Sequence, residues 1–257
     1  MKGRLLIAAI IAALPVLAAQ AQAPCPLAPI GSARVAAVRD GRTLKLADGR
    51  MLRLAAIEAP AGSGGALQTL VDGKTLRLAR LGPDHDRYGR LVAFAFVGDA
   101  AQSLEQILLT EGAARVSDRI VDMACAAPLL QAERRAREAR RGLWANPNFA
   151  PLAADNLARL KGERGHFALV EGTVLSVHPS GGTVYLNFGR YWTRDFSVLV
   201  SRRRARAFAK AGIALKQLAG HRILVRGWLE ERRGPIVEAD NPEQIELIGA
   251  QKKAARP

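Results

Sequence analysis

Four histidines and two cysteines in 257 residues leave little material for metal or thiol chemistry. His85, His166, His178 and His221 are isolated, and Cys25 and Cys125 stand far apart, so neither set has the spacing of a metal site. No nucleophile elbow, phosphate-cradling P-loop or dinucleotide fingerprint occurs, which removes the usual sequence marks of serine hydrolases, P-loop NTPases and nicotinamide enzymes. Beyond the first twenty or so residues no stretch is apolar enough to cross a bilayer. Acids are the scarce charge, with 23 Asp and Glu against 38 Lys and Arg.

What is present follows from that imbalance. A net charge of +15 and a pI near 10.9 predict attraction to polyanions such as nucleic acid, lipid head groups or acidic glycans. Lys2 and Arg4 precede an apolar run from Leu5 to Ala19, interrupted by Pro15, and Ala21-Gln22-Ala23 is a small-x-small cleavage signal. The pattern predicts a secretory signal peptide over 1–23 and a periplasmic or secreted mature chain. Losing Lys2 and Arg4 and no acid leaves a net charge of +13. In an oxidising compartment Cys25 and Cys125 are expected to pair. A closed loop of about 100 residues contributes up to roughly 4–5 kcal/mol on the chain-entropy model.

The chain is organised around Val35–Pro60. Asp40-Gly41 and Asp48-Gly49 are turn signals between an apolar run at Val35–Val38 and alternating runs at Thr43–Leu46 and Met51–Ile57, a three-stranded meander. Ala66–Val71 reads as a short helix, Thr75–Arg80 and Leu91–Val97 as strands, and Ser103 caps a helix that Gly112 ends. Leu129–Arg141 reads as a closing helix with Leu130, Ala132, Ala136 and Ala139 inward and Arg134, Arg135, Arg137, Arg140 and Arg141 outward or towards its C-terminal end. Five strands with helices after the third and at the end is the order of an OB-type barrel.

Four landmarks in this region occur together and in order. They are Asp40-Gly41-x-Thr43, Arg53-Leu54-x-x-Ile57-x-Ala59-Pro60, Asp86-Arg87-Tyr88-Gly89-Arg90, and a last helix ending Gly142-Leu143-Trp144. From about Arg34 to Phe149 the chain resembles the staphylococcal nuclease, or thermonuclease, family. The resemblance implies a five-stranded OB barrel with three helices and, for active members, calcium-dependent hydrolysis of DNA and RNA. It places Arg53 and Arg90 at the two phosphate-binding arginine positions and Tyr88 at a tyrosine that contacts phosphate. It also marks departures. Arg42 stands where an aspartate metal ligand is expected, Glu58 replaces a second aspartate ligand, Ala61 replaces the general-base glutamate, and Asp118 replaces a base-stacking tyrosine. Losing a general base alone costs about 10²–10⁴ in rate. Arg42 beside Arg53 and Arg90 is expected to make an all-cationic site, suited to holding an anion. Glu58 is a candidate partner for Arg53, and Asp40 is the carboxylate nearest the lost ligand.

Prolines in 146–151 mark a boundary, and Leu152–Leu160 reads as a short helix ending in the Lys161–Gly165 turn. Strands are expected at Phe167–Val177, Thr183–Phe188 and Phe196–Val200. An arginine-rich helix capped by Ser201 runs to Ala211, and His221–Leu229, Pro235–Glu238 and Gln244–Leu247 follow. This is again the OB order, so the fold class is mainly β with helices (α+β): two OB-fold barrels in tandem, over 24–149 and 166–249, with a linker at 150–165 and a basic tail at 250–257. The second half is the more basic: 18 Lys and Arg against 10 acids in 151–257, compared with 18 against 13 in 24–150. Arg202, Arg203, Arg204 and Arg206 crowd a helix start, where the macrodipole disfavours cations. With Tyr185, Tyr191 and Trp192 they form a candidate surface for stacking and phosphate contact.

Three readings remain open on the sequence alone. One is an exported nucleic-acid-binding protein whose thermonuclease-like domain is catalytically impaired, needing no cofactor. The second is an active metal-dependent nuclease using Glu58, Arg53 and Arg90 with calcium. The third is an envelope protein binding lipopolysaccharide, acidic glycan or a protein partner.

Overall fold

The structure, a computed structural model, describes residues 25–83, 85–120 and 122–249. The leader at 1–23 and the tail at 250–257 lie outside the described residues. The first half contains β1 (Ala28–Asp40), β2 (Thr43–Leu46), β3 (Met51–Leu54), β4 (Ile57–Glu58), α1 (Gly64–Val71), β5 (Thr75–Arg80), β6 (Leu91–Val97), α2 (Leu104–Thr110), β7 (Arg115–Val116) and α3 (Met123–Glu138). Strands β1, β2, β3, β6 and β5 close into a barrel. The meander pairs antiparallel, and β3 meets β6 in parallel. Alternation sends Leu44, Leu46, Leu52, Leu54, Leu76 and Leu78 into one core with almost no exposure.

Turn chemistry sets the rim. The Asp40 carboxylate accepts the Arg42 backbone N–H at 2.9 Å, closing the β1–β2 turn. A Cβ on Gly41 would lie 2.3 Å from Ser63 Oγ and 2.8 Å from Ala59 Cβ, so only glycine lets this turn press against the loop after β4. Between β3 and β4, Ala56 has φ 61°, a left-handed conformation that an L side chain adopts at a cost of order 1 kcal/mol.

The disulfide Cys25–Cys125 is formed as expected, with Sγ–Sγ 2.01 Å, and it ties the start of the described chain to α3 itself and not to a segment before that helix. That helix starts earlier than its sequence pattern suggested. Asp122 caps it by accepting the Ala124 and Cys125 N–H groups, and Pro128 lies within it. Ala139, expected inward, is the exposed residue that ends the helix.

The second half contains β8 (Leu152–Ala153), α4 (Leu157–Gly162), β9 (Phe167–Thr173), β10 (Ser176–Ser180), β11 (Thr183–Asn187), β12 (Ser197–Ser201), α5 (Arg202–Lys210), β13 (Arg222–Trp228), β14 (Glu230–Glu231), β15 (Pro235–Glu238) and β16 (Ile245–Leu247). The single strand expected at Phe167–Val177 bends into β9 and β10, which belong to different sheets, ordered β16-β13-β9-β8 and β10-β11-β12-β15-β14. Taking β9 with β10 and β13 with β14 as bent strands, the connectivity repeats that of the first barrel, including a parallel pairing of β12 with β15. The helix expected at Leu152–Leu160 is instead β8 followed by α4. β8 pairs in parallel with β9, so part of the expected linker is a strand of the second half. Ser201 stands at the start of α5 as expected, but its side chain accepts no capping hydrogen bond.

The two halves are joined by charge as well as by packing. Arg226 on β13 is fully buried and donates to Glu133 of α3, to Glu246 on β16 at 3.4 Å and to the Val116 carbonyl at 3.4 Å. Arg134 and Arg137, expected outward, reach across to Glu246 at 2.9 and 3.2 Å. Beside them Ala136 and Trp144 pack with Phe167, Leu169 and Leu224 in a small core shared by the two halves.

Candidate nucleic-acid interface

The barrel rim gathers Arg42, Arg53 and Glu58, because the turn after β1, the end of β3 and the short β4 lie together. Glu58 is only 4% exposed. One carboxylate oxygen accepts from Arg53 Nη2 at 2.9 Å, and the other is ion-paired with Arg42 Nη1. Arg42 also donates to the Ile57 carbonyl at 3.3 Å. The expected all-cationic site is therefore corrected: Arg42 folds back onto the carboxylate, and the two guanidinium groups clamp it. Burial, and next the Arg42 charge, push the Arg53 guanidinium below its ordinary pKa, while Glu58 opposes them.

This donor set does not fit calcium. A calcium ion takes six to eight oxygens, and here the rim carboxylate already accepts from two arginines while Asp40 closes its own turn. Among the described residues no group of three or more His, Cys, Asp or Glu is arranged to hold a metal.

Arg90 is likewise engaged. Its Nε and Nη2 donate to Asp86 at 2.8 and 2.7 Å. Burial alone would raise the Asp86 pKa, but Arg90 and the N–H groups of Arg90 and Tyr88 bring it below the ordinary value. Tyr88 is 66% exposed, with its ring under Arg87 and Arg90 and its hydroxyl accepting from Arg87 at 2.6 Å. Arg53, Asp86 and Arg119 line a cleft of about 250 Å³ beside them. Asp118 does not line this cleft; burial raises its pKa, and its carbonyl accepts from Asn241 of the second half at 2.9 Å.

The second half presents a different surface. Tyr185, Trp192, Arg190, Arg233 and His178 line an open groove of about 830 Å³ over β10 and β11. Trp192 is 59% exposed, and the Arg233 guanidinium sits 5.2 Å from its ring centroid. Tyr191, also exposed, lies under Arg194 at 4.1 Å. Of the residues that the sequence grouped as one surface, Tyr185 and Trp192 share this groove and Tyr191 does not line it, while Arg190 and Arg233 were not named. Arg202, Arg203 and Arg204 are exposed on α5 and do not line this groove; Arg204 is 3.8 Å from Asp240. The signal for Arg233 was its place in the polar turn before Pro235, which carries it back over β10 and β11.

Residues 52–146 match the family model described as Staphylococcal nuclease homologue. The match contains Arg53, Glu58, Arg90 and α3, begins after Arg42 and ends before the second half. No curated protein matches the chain.

Proposed function

Taking the staphylococcal-nuclease-like domain at 52–146 as premise, we propose that this is an exported nucleic-acid-binding protein that holds phosphodiester strands without hydrolysing them. The carrying observation is the clamp on Glu58. Hydrolysis of a phosphodiester needs a base for water and cations on the phosphate, commonly with a carboxylate-held metal. At this rim the carboxylate is neutralised by Arg42 and Arg53, and Ala61 can accept no proton.

Binding is assigned chiefly to the groove of the second half. Trp192 and Tyr185 offer rings for bases, and Arg190 and Arg233 offer bidentate donors for phosphates. Arg53 and Arg119 in the rim cleft extend the cationic path. The intact Cys25–Cys125 bond favours an oxidising, extracytoplasmic location, and among the described residues no helix is long and apolar enough to cross a membrane.

Labelled single-stranded DNA incubated with calcium or chelator tests both halves of the reading in one gel. The expected result is a shift without cleavage, with affinity falling by a log–log slope of about −0.7 per neutralised phosphate as salt rises. Cleavage that Arg53→Ala abolishes would replace this reading with that of a working nuclease. Absence of a shift at about 50 mM salt would redirect it to an anionic envelope ligand.

A further inference from the structure

A second cavity, of about 560 Å³, is lined by Glu58 and lies between the two halves. That volume lies within the roughly 300–1,000 Å³ of small-ligand sites. Its walls come from both halves: Arg42, Glu58 and Arg115 from the first, and Arg159, Phe167 and Trp228 from the second.

Arg115 lines it from the first half. It lies opposite Glu58 across the β4–β7 pairing. Its guanidinium is held between two rings, 5.9 Å from the Phe149 centroid and 5.3 Å from that of Phe167. Its Nε is buried and lacks a hydrogen-bond partner among the described residues. A partly buried guanidinium that stands near two rings, with its Nε lacking an acceptor among the described residues and its terminal nitrogens open to the cavity, is a poor structural element and a good anion receptor. The carboxylates in the same cavity are already engaged, Glu58 by Arg42 and Arg53, and Glu163 by Arg159 at 3.4 Å.

The neighbouring wall adds a flat surface. Trp228 packs edge-on against Phe167, with centroids 6.1 Å apart, and remains 40% exposed. Register explains the adjacency, since Trp228 at the end of β13 pairs with Phe167 at the start of β9. A fixed cation one ring away from an open indole calls for a ligand that joins an anion to a planar heterocycle.

We infer that the cavity between the halves binds a nucleoside 5′-monophosphate group, with the phosphate on Arg115 and Arg159 and the base on Trp228. The site shares no residue with the groove of the second half, and the inference does not rest on the strand-binding reading. The group can come from a free mononucleotide or from the phosphorylated end of a strand.

Equilibrium dialysis of the whole chain with 5′-AMP is the primary test, with adenosine and inorganic phosphate as fragments. Arg115→Ala and Trp228→Ala are each expected to weaken 5′-AMP binding by about tenfold or more, as loss of a charge-assisted contact or of a stacked base does. Arg159→Ala, an exposed substitution, carries the same expectation should Arg115→Ala fail to fold. Absence of 5′-AMP binding, or equal affinity in the folded variants and the parent chain, overturns the inference. Trp192→Ala should leave 5′-AMP binding intact even where it abolishes strand binding, so failure of one site is distinguishable from failure of the other. Competition by a 5′-phosphorylated oligonucleotide, and not by its 5′-hydroxyl counterpart, identifies strand ends as the source; competition by neither identifies the free nucleotide.

Discussion

The barrel rim and the groove of the second half are built from the same kinds of side chain and arrive at opposite electrostatic states. At the rim, Arg42 and Arg53 close on Glu58 and Arg90 closes on Asp86, so most of the cationic charge is answered within the molecule. Over β10 and β11, Arg233 rests on an exposed indole and Arg190 stands beside it, available to an incoming phosphate. Counting arginines would rank the rim first, with Arg42, Arg53 and Arg90 against Arg190 and Arg233. Where the nearest carboxylate lies decides which of them keeps its guanidinium groups free of an internal ion pair among the described residues.

The sharpest way to break this contrast is to remove the answering charge at the rim. Glu58→Gln leaves two partly buried guanidinium groups without a counter-ion, Arg42 at 21% and Arg53 at 13% side-chain exposure. Denaturant unfolding should show a loss of about 2–3 kcal/mol, below the roughly 3–5 kcal/mol of a fully buried pair. In the groove the balance reverses. Trp192→Ala should cost about 1–3 kcal/mol of single-strand affinity by fluorescence anisotropy while leaving the melting temperature unchanged. A melting temperature that drops with it would mean that the indole belongs to the fold and not to the ligand.

Two smaller effects sharpen the picture of the barrel itself. Glu105 is fully buried, with one carboxylate oxygen lacking a partner among the described residues, and burial pushes its pKa up to about 8. Its folded state therefore favours the protonated form, and its contribution is complete below the ordinary value near 4.5 and lost as pH rises through about 8. Melting temperatures measured between about pH 5 and about pH 9 should fall less steeply in Glu105→Gln than in the parent chain. Glu243, raised to about 7 by burial, adds a parallel decline in both. Last, Ala56→Gly relieves the left-handed strain before Glu58, offset by the greater freedom of glycine when unfolded, so a stability change within about 1 kcal/mol is expected.

The rim was legible because its information is local. Asp-Gly turns, period-two leucines and the spacing from Arg53 to Glu58 place three strands and an ion pair within some twenty residues of sequence. Departures at Arg42 and Ala61 could be read for the same reason. What escaped was the answer that Arg42 finds in Glu58, since a repulsive position and a salt bridge are the same letter until the turn is folded. Arg226 escaped as well, because it sits in an apolar strand and its partner Glu133 lies on a helix in the other half. Arg134 and Arg137 looked solvated for want of Glu246, over a hundred residues away. The prolines near 147–151 mark a boundary in the chain, while the buried ion network crosses it.

The Arg42 side chain has a consequence for how the rim keeps its shape. A turn organised by a dissolved ion is ordered only while that ion is supplied, and it loosens when a chelator or a competing salt removes it. Here the cation is covalently attached to the turn it organises, at an effective concentration that dilution cannot lower. The geometry around Glu58 is thereby held by groups that the chain itself carries.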